Sequence, residues 1–132
     1  MLVVDGGGDT SRALVGEIMK AIAQSRGCAG FVLDGAIRDA DAFAADGFPC
    51  FARAAIRAGP YKSGPGEINV PVSIGGMVVA PGDLIVGDGD GVLAIAPAEA
   101  PALLEATLRQ EAKEAEILRA IAAGTYAGAY AR

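Results

Sequence analysis

An arginine and an aspartate, Arg38 and Asp39, stand side by side shortly after a strongly apolar run that ends in Asp34-Gly35. Burying either charge without a partner would cost several kcal/mol, so the pair needs a structural or a chemical reason. One interpretation is a local ion pair in which Asp39 caps a short helix that follows it. The other is a site where a fixed cation and a carboxylate bind an anion or a metal. The pattern alone leaves both open.

The composition removes most alternative chemistries. The 132 residues include no histidine, which excludes a Ser-His-Asp triad, acid–base catalysis by imidazole and a zinc site with histidine ligands. The net charge is −5, and no cluster of Lys and Arg overrides it, so a nucleic-acid partner is not expected. Chemistry near neutral pH would therefore depend on carboxylates, Arg, Lys, backbone dipoles or a metal held by oxygen.

The length and hydropathy predict one domain over residues 1–132, with 52% hydrophobic residues to form its core. No apolar run approaches the length of a membrane span, and Asp5 interrupts the only apolar stretch near the start, so neither a membrane partner nor a signal peptide is expected. Cys28 and Cys50 fit no CxxC pattern and are typical of a reducing compartment. The predicted location is cytoplasmic.

The first third of the chain has the pattern of a βαβ unit. A strand over residues 2–5 leads through a glycine-rich turn to a helix that begins at about Arg12 or Gly16 and ends at Ser25. The next strand covers residues 31–34, and the two strands are expected to be parallel. A helix that begins near Gly16-Glu17 would offer free N–H groups to an anion.

The rest of the chain alternates short elements with turns and ends in a long helix. Gly75-Gly76 predicts a hairpin turn, and the run 87–91 resembles half of a calcium loop but lacks the spaced Glu, so it is also assigned to a turn. The predicted elements are a helix at 40–45, strands at 49–52, 69–74, 77–79, 84–86 and 92–95, a loop at 57–66, and a helix from Pro97 or Ala98 to Ala122.

Several motifs recur in an order that is typical of one family, and they extend over nearly the whole chain. They are Gly16-Glu17, Gly27 with Gly30-Phe31-Val32, Asp34-Gly35, Ile37-Arg38-Asp39, Pro49 with Phe51, Gly75-Gly76, Pro81-Gly82-Asp83 and Gly87-Asp88-x-Asp90-Gly91-Val92. In these the chain resembles the 4-hydroxy-4-methyl-2-oxoglutarate (HMG/CHA) aldolases. That family also contains the RraA regulators of ribonuclease E and proteins labelled demethylmenaquinone methyltransferases.

The resemblance implies an α/β fold, an α-β-β sandwich of the swivelling, phosphohistidine-domain-like type with a βαβ unit, β-hairpins and a long C-terminal helix. It also implies a homotrimer or hexamer with active sites between subunits. Family members carry a substantial segment before the strand at 2–5, so the chain is expected to be N-terminally truncated relative to them.

The resemblance also assigns roles to particular residues. Arg38 would be catalytic and would donate to the enolate oxygen of pyruvate, and Asp39 would bind Mg²⁺ or Mn²⁺. Glu17 occupies the position of an acid that typifies the aldolase branch and is usually missing from the regulators; it would bind the metal through water. The backbone N–H groups around Gly16, Glu17, Ile18 and Met19 would bind the substrate carboxylate.

The predicted function is a divalent-metal-dependent aldolase. It would cleave 4-hydroxy-4-methyl-2-oxoglutarate or 4-carboxy-4-hydroxy-2-oxoadipate to pyruvate and a second 2-oxo acid, with oxaloacetate decarboxylation as a side activity. Two alternatives stay open: a non-catalytic, protein-binding regulator of ribonuclease E, and an inactive truncated homologue. A methyltransferase is not supported, since no glycine-rich motif with a spaced acid is present.

Overall fold

The computed structural model describes residues 1–128 and contains two compact units, Met1–Ile95 and a second that begins at Ala96. The elements of the first unit are β1 (Leu2–Asp5), β2 (Ala13–Val15), α1 (Glu17–Ser25), β3 (Phe31–Ile37), α2 (Ala40–Ala44), β4 (Cys50–Ala55), β5 (Val72–Ile74), β6 (Met77–Val79), β7 (Leu84–Gly87) and β8 (Val92–Ile95). The second unit contains α3 (Ala100–Ala122). One domain over 1–132 stays a prediction.

A parallel sheet centred on β3 organises the first unit. β1 pairs with residues 31–34 of β3 and β2 with residues 36–37, so β1 and β2 follow each other along one side of β3. β4 pairs along the other side, also parallel. The carboxyl ends of β2, β3 and β4 therefore meet at one edge of the sheet.

The start of the first helix corrects one of the two predicted boundaries. Residues 13–15 form β2 instead of a helical turn, and α1 begins at Glu17, so the boundary at Arg12 is wrong and the one at Gly16 is right. The side chains of Ala13 and Val15 are buried against the sheet, which is the period-2 pattern of a strand. Gly27 ends the helix region with φ of 77°, a conformation that glycine adopts without strain.

β3 extends three residues beyond its predicted end and is buried along its whole length. The predicted stop at Asp34-Gly35 is wrong because Asp34 remains inside the sheet, where it forms an ion pair with Arg53 of β4. A strand that is buried on both faces is typical of a parallel sheet with neighbours above and below it.

Three phenylalanines form the centre of the core. Phe31 of β3 meets Phe48 nearly edge-on, with ring centroids 5.1 Å apart, and Phe43 of α2 lies 6.2 Å from Phe31. Such pairs add to the burial of their area. The other buried members of the same cluster are Val15, Leu33 and Ile37.

The two predicted hairpins are confirmed. β5 and β6 are antiparallel around Gly75 and Gly76, whose φ values of 59° and 88° fit the mirror-image turn that tight hairpins favour. β7 and β8 are antiparallel around residues 88–91. There, one oxygen of Asp88 accepts hydrogen bonds from the N–H groups of Asp90 and Gly91 at 2.8 and 3.3 Å, so the Asp88 carboxylate pairs with two backbone donors of the turn.

α3 has 23 residues and begins at Ala100, later than predicted, because residues 97–99 form a turn closed by the Glu99 N–H and the Ala96 carbonyl at 2.9 Å. The leucines of its apolar stripe and Ile121 are exposed. Within residues 1–128, no helix is long and apolar enough to cross a membrane. The predicted α/β class, with a parallel sheet, β-hairpins and a long C-terminal helix, is confirmed.

Candidate functional site

The candidate site lies where the carboxyl ends of three parallel strands meet. Gly16 and Glu17 follow β2, Arg38 and Asp39 follow β3, and Arg57 comes two residues after β4. In open α/β sheets this edge is the usual place for ligands, since each strand delivers the start of a loop or helix there.

Gly16 is where the predicted residues come together. A Cβ atom at Gly16 would lie 2.6 Å from Asp39 Oδ2 and 2.8 Å from Arg38 Nε. The φ of Gly16 is −146°, which any residue can adopt, so space and not backbone conformation requires glycine here. The absence of a side chain lets the Arg38-Asp39 pair lie directly against the start of α1.

Asp39 caps α1 and not the helix that follows it. It stands at the start of α2, but its side chain makes no capping hydrogen bond there, so the predicted cap is wrong, whereas the predicted local ion pair with Arg38 is present. Instead, Asp39 Oδ2 accepts a hydrogen bond from the Glu17 N–H at 3.0 Å. The left-handed backbone of Asp39, with φ of 57°, turns its carboxylate back toward the positive end of α1.

Arg38 retains unused hydrogen-bonding capacity. Its backbone N–H donates to the Val15 carbonyl at 3.0 Å, which fixes its position beside β2. Its Nε lies 3.5 Å from Asp39 Oδ2, close enough for an ion pair, yet this buried atom has no hydrogen-bond partner among residues 1–128. The side chain as a whole is 42% exposed, so the guanidinium also reaches the surface of the site. An arginine in this state is suited to binding an oxyanion.

The start of α1 offers two further donors. The Glu17 N–H is occupied by Asp39, and the Lys20 N–H bonds to the Gly16 carbonyl at 3.1 Å. Ile18 and Met19 lie between these two residues, and their N–H groups have no acceptor within residues 1–128, as expected for the first turn of a helix. Of the amide donors predicted within α1, these two are free to receive a carboxylate.

The donor set suits a hard cation with few protein ligands. Asp39 Oδ1 accepts no hydrogen bond from residues 1–128, and Glu17, on the neighbouring helix start, is exposed. Across the same residues, no three Asp, Glu or Cys side chains gather as a complete metal cage. One or two carboxylates, completed by water and substrate oxygens, is the arrangement that Mg²⁺ prefers.

Arg57 is a site residue that sequence reasoning missed. It lines a pocket of about 450 Å³ together with Arg38, Asp39 and Asp41. The signal was its place just beyond a strand of the sheet. The strand was predicted to end at residue 52, however, which left Arg57 in a loop.

The loop after β4 lies beside Arg38, since a Cβ atom at Gly59 would be 3.1 Å from Arg38 Nη1. The Ala13 N–H donates to the Ala58 carbonyl at 2.8 Å, and Arg12 Nη1 donates to the Gly59 carbonyl at 3.1 Å. The guanidinium of Arg12 also lies 4.4 Å from the centre of the Tyr61 ring, which is 76% exposed. Tyr61 therefore anchors an exposed loop, as predicted for residues 57–66.

Lys20 joins the two helices near the site and forms an ion pair just beyond the second. Lys20 is the buried residue of α1; its Nζ donates to the Ala42 carbonyl of α2 and lies 2.8 Å from Asp46 Oδ2. The hydrogen bond from Lys20, helped by one from Gln24, lowers the pKa of Asp46. This contact fixes α2 against α1, the helix start that Asp39 caps.

The amino-acid sequence matches a known protein family over most of its length. The family model described as RraA-like, Aldolase/RraA, matches residues 1–94. A protein of Halalkalibacterium halodurans named "Putative 4-hydroxy-4-methyl-2-oxoglutarate aldolase" is 44% identical over 92% of this chain, which spans 58% of that relative. The match thus covers little more than half of the relative's length.

Two solved structures are similar to this chain in fold. The RNA-processing inhibitor RraA of Thermus thermophilus is similar with a TM-score of 0.67 and 37% identity, over 71% of this chain and 57% of that one. An uncharacterised protein of Pseudomonas syringae pv. tomato is similar with a TM-score of 0.81 and 29% identity, over 94% of this chain and 62% of that one.

Proposed function

The chain belongs to the RraA-like family, and from its site we propose that it is a divalent-metal-dependent aldolase that releases pyruvate from 4-hydroxy-2-oxo acids. One observation carries the proposal: Arg38, Asp39 and the start of α1 converge at Gly16. The proposed substrates are 4-hydroxy-4-methyl-2-oxoglutarate and 4-carboxy-4-hydroxy-2-oxoadipate. The name of the Halalkalibacterium relative agrees with this activity.

The free donors fit the pyruvate half of such a substrate. The N–H groups of Ile18 and Met19 would bind its carboxylate at the positive end of α1. Arg38 would donate to the oxygen on C2. Cleavage breaks the C3–C4 bond as the C4 hydroxyl gives its proton to water and C4 becomes the carbonyl of the second product, while the electron pair of the broken bond moves to the C2 oxygen as an enolate. Arg38 stabilises the charge that develops there, and transfer of a proton from water to C3 then gives pyruvate.

The cofactor that we propose is Mg²⁺ or Mn²⁺. Asp39, through the oxygen that no protein donor occupies, and Glu17, through water, would hold it. When bound, the ion would supply Lewis-acid assistance to the C2 oxygen. Decarboxylation of oxaloacetate moves electrons to the same oxygen, so we propose it as a side activity.

The decisive experiment is pyruvate release from 4-hydroxy-4-methyl-2-oxoglutarate in the presence of Mg²⁺ or Mn²⁺. We expect Arg38→Ala to lower kcat by roughly 10²- to 10³-fold, the usual loss when one oxyanion donor is removed. Arg26→Ala is the matched control, since Arg26 is an exposed arginine at the opposite end of α1. The proposal fails if the wild type releases no pyruvate, or if Arg38→Ala retains full activity.

The similarity to the Thermus RraA structure supports a second candidate, a non-catalytic regulator that binds an RNA-processing enzyme. Glu17 favours the aldolase, since the regulators usually lack an acid at that position. The two are separated by pull-down with purified ribonuclease E in parallel with the pyruvate assay. Binding without pyruvate release would establish the regulator.

The assembly that we propose is a cytoplasmic homotrimer or hexamer with sites between subunits. Sedimentation should then give three or six times the 13.2 kDa of one chain. A monomer with full specific activity would contradict the shared sites.

A further inference from the structure

Arg57 lies at the same edge of the sheet as Arg38, two residues after the neighbouring strand β4. The register pairs Ile37 with Ala55, and the ladder continues with a hydrogen bond of 2.8 Å from the Ile56 N–H to the Ile37 carbonyl. Arg57 therefore follows directly after the last residue of this chain segment that is hydrogen-bonded to β3. The residues that follow β3 at that level are Arg38 and Asp39.

The two arginines of this pocket differ in the contacts that their side chains make. Arg38 is paired with Asp39, whereas Arg57 is exposed and forms neither an ion pair nor a side-chain hydrogen bond in the part of the chain from 1 to 128. Asp41 also lines the pocket and likewise forms no ion pair within residues 1–128. The pocket of about 450 Å³ thus contains two arginines. Arg38 is positioned for the reacting end of a ligand, and the guanidinium of Arg57 is available for a second contact.

Starting from the proposed 2-oxo acid site, we propose that Arg57 binds a second carboxylate, so that this pocket selects dicarboxylic over monocarboxylic 2-oxo acids. Arg38 and the start of α1 engage the 2-oxo acid end, and Arg57, just beyond the adjacent strand, receives the far end. A guanidinium matches a carboxylate with two parallel N–H donors, which gives direction as well as attraction. Lysine would keep the charge but lose this fork.

A matched pair of ligands tests the inference without depending on catalysis. 2-Oxoglutarate and 2-oxopentanoate have the same carbon chain and differ in one carboxylate. Calorimetry with Mg²⁺ present should show that the wild type binds 2-oxoglutarate about tenfold more tightly, a modest ratio because Arg57 is exposed to water.

The variants then assign the preference to one side chain. In Arg57→Ala the ratio of the two dissociation constants should fall to about one, with binding of 2-oxopentanoate unchanged; Arg57→Lys should keep part of it. Arg26→Ala, which removes the same charge far from the pocket, should keep all of it. A ratio that survives in Arg57→Ala, or that Arg26→Ala abolishes equally, would overturn the inference.

A kinetic comparison separates this inference from the proposed function. Pyruvate release is measured from 4-hydroxy-4-methyl-2-oxoglutarate and from 4-hydroxy-2-oxopentanoate, which lacks the second carboxylate. Arg57→Ala should lower kcat/KM about tenfold for the first substrate alone. If the wild type cleaves neither substrate, the aldolase proposal fails, and the binding ratio still decides the role of Arg57. Equal losses on both substrates would contradict selection by Arg57.

Discussion

At the scale of single residues, Gly16 decides whether the candidate site can form. Its missing side chain leaves the room in which Asp39 reaches the Glu17 N–H and Arg38 lies against β2. A methyl group there would lie within 3 Å of polar atoms of both residues. Asp39 cannot yield without losing its bond to α1, so the site would change geometry while the core remained intact.

We therefore expect Gly16→Ala to lower kcat for pyruvate release by about 10-fold or more, because a displacement of about 1 Å in a catalytic group can cost 10²-fold. Its thermal midpoint should stay within a few degrees of the wild type. Gly66→Ala is the control, since a Cβ at Gly66 meets nothing within 4 Å. Equal activities for both variants would show that the contact at Gly16 is unimportant.

The residues of the site were more predictable than their contacts. The absence of histidine and the adjacent charges pointed to Arg38 and Asp39 without any structure. Which helix Asp39 caps could not be predicted, because its partner Glu17 is 22 residues away and is brought close only by the pairing of β2 with β3. Arg57 was hidden for the same reason, since its position depends on where β4 ends.

At the scale of elements, a buried carboxylate joins the β5–β6 hairpin to the sheet. Asp34 is 8% exposed; one oxygen pairs with Arg53 of β4, and the other accepts a hydrogen bond from the Gly75 N–H of the hairpin turn at 3.5 Å. A sequence pattern treats Asp-Gly as the end of a strand, because both residues are rare inside strands. Here the partner on the next strand lets β3 continue.

The same ion pair predicts a pH-dependent stability. The hydrogen bond from Arg53, with a smaller contribution from Gly75, lowers the pKa of Asp34 in the folded protein. Its stabilising contribution is therefore present above the unfolded pKa of about 3.9 and is lost as the pH falls through the lower folded pKa. The wild type should exceed Asp34→Asn in free energy of unfolding above about pH 5, and the difference should shrink below about pH 4.

Urea unfolding at several pH values measures this difference. Asp90→Asn is the control, because the Asp90 carboxylate makes neither a hydrogen bond nor an ion pair in the described part of the chain, residues 1–128. A constant difference between wild type and Asp34→Asn down to about pH 3 would contradict the linkage, since a contribution that does not titrate cannot come from this carboxylate.

α1 illustrates the limit of sequence pattern at this scale. The apolar residues Leu14, Ile18 and Ile22 have helical spacing, but Leu14 belongs to β2, and Ile18 and Ile22 are 72% and 48% exposed. The residue that α1 buries is Lys20, because α2 supplies a carbonyl and Asp46 supplies a charge. Periodicity located the helix but not the side on which it packs, which depends on polar partners distant in sequence.

At the scale of the whole molecule, the chain spans 58% of the length of its Halalkalibacterium relative, yet the proposed ligand-binding residues all lie in the matched region 1–94. Two outcomes are open to such a chain: an intact site, or a family fold that binds nothing. They differ in a measurable way, because a ligand that binds only the folded state stabilises it by mass action. An inactive homologue gains nothing.

We expect Mg²⁺ with pyruvate to raise the thermal midpoint in proportion to the logarithm of pyruvate concentration, since at 100 times Kd the gain is about 2.7 kcal/mol. Removing the metal with EDTA should abolish the shift. Asp39→Asn should also abolish it, because the amide is a poor ligand for Mg²⁺, whereas Asp90→Asn should leave it unchanged. A midpoint that is insensitive to metal and pyruvate in the wild type would contradict an intact aldolase site. An unchanged shift in Asp39→Asn would mean that the metal binds elsewhere. Removing the charge of a carboxylate that holds the ion weakens metal binding and so lowers the stabilisation that binding gives.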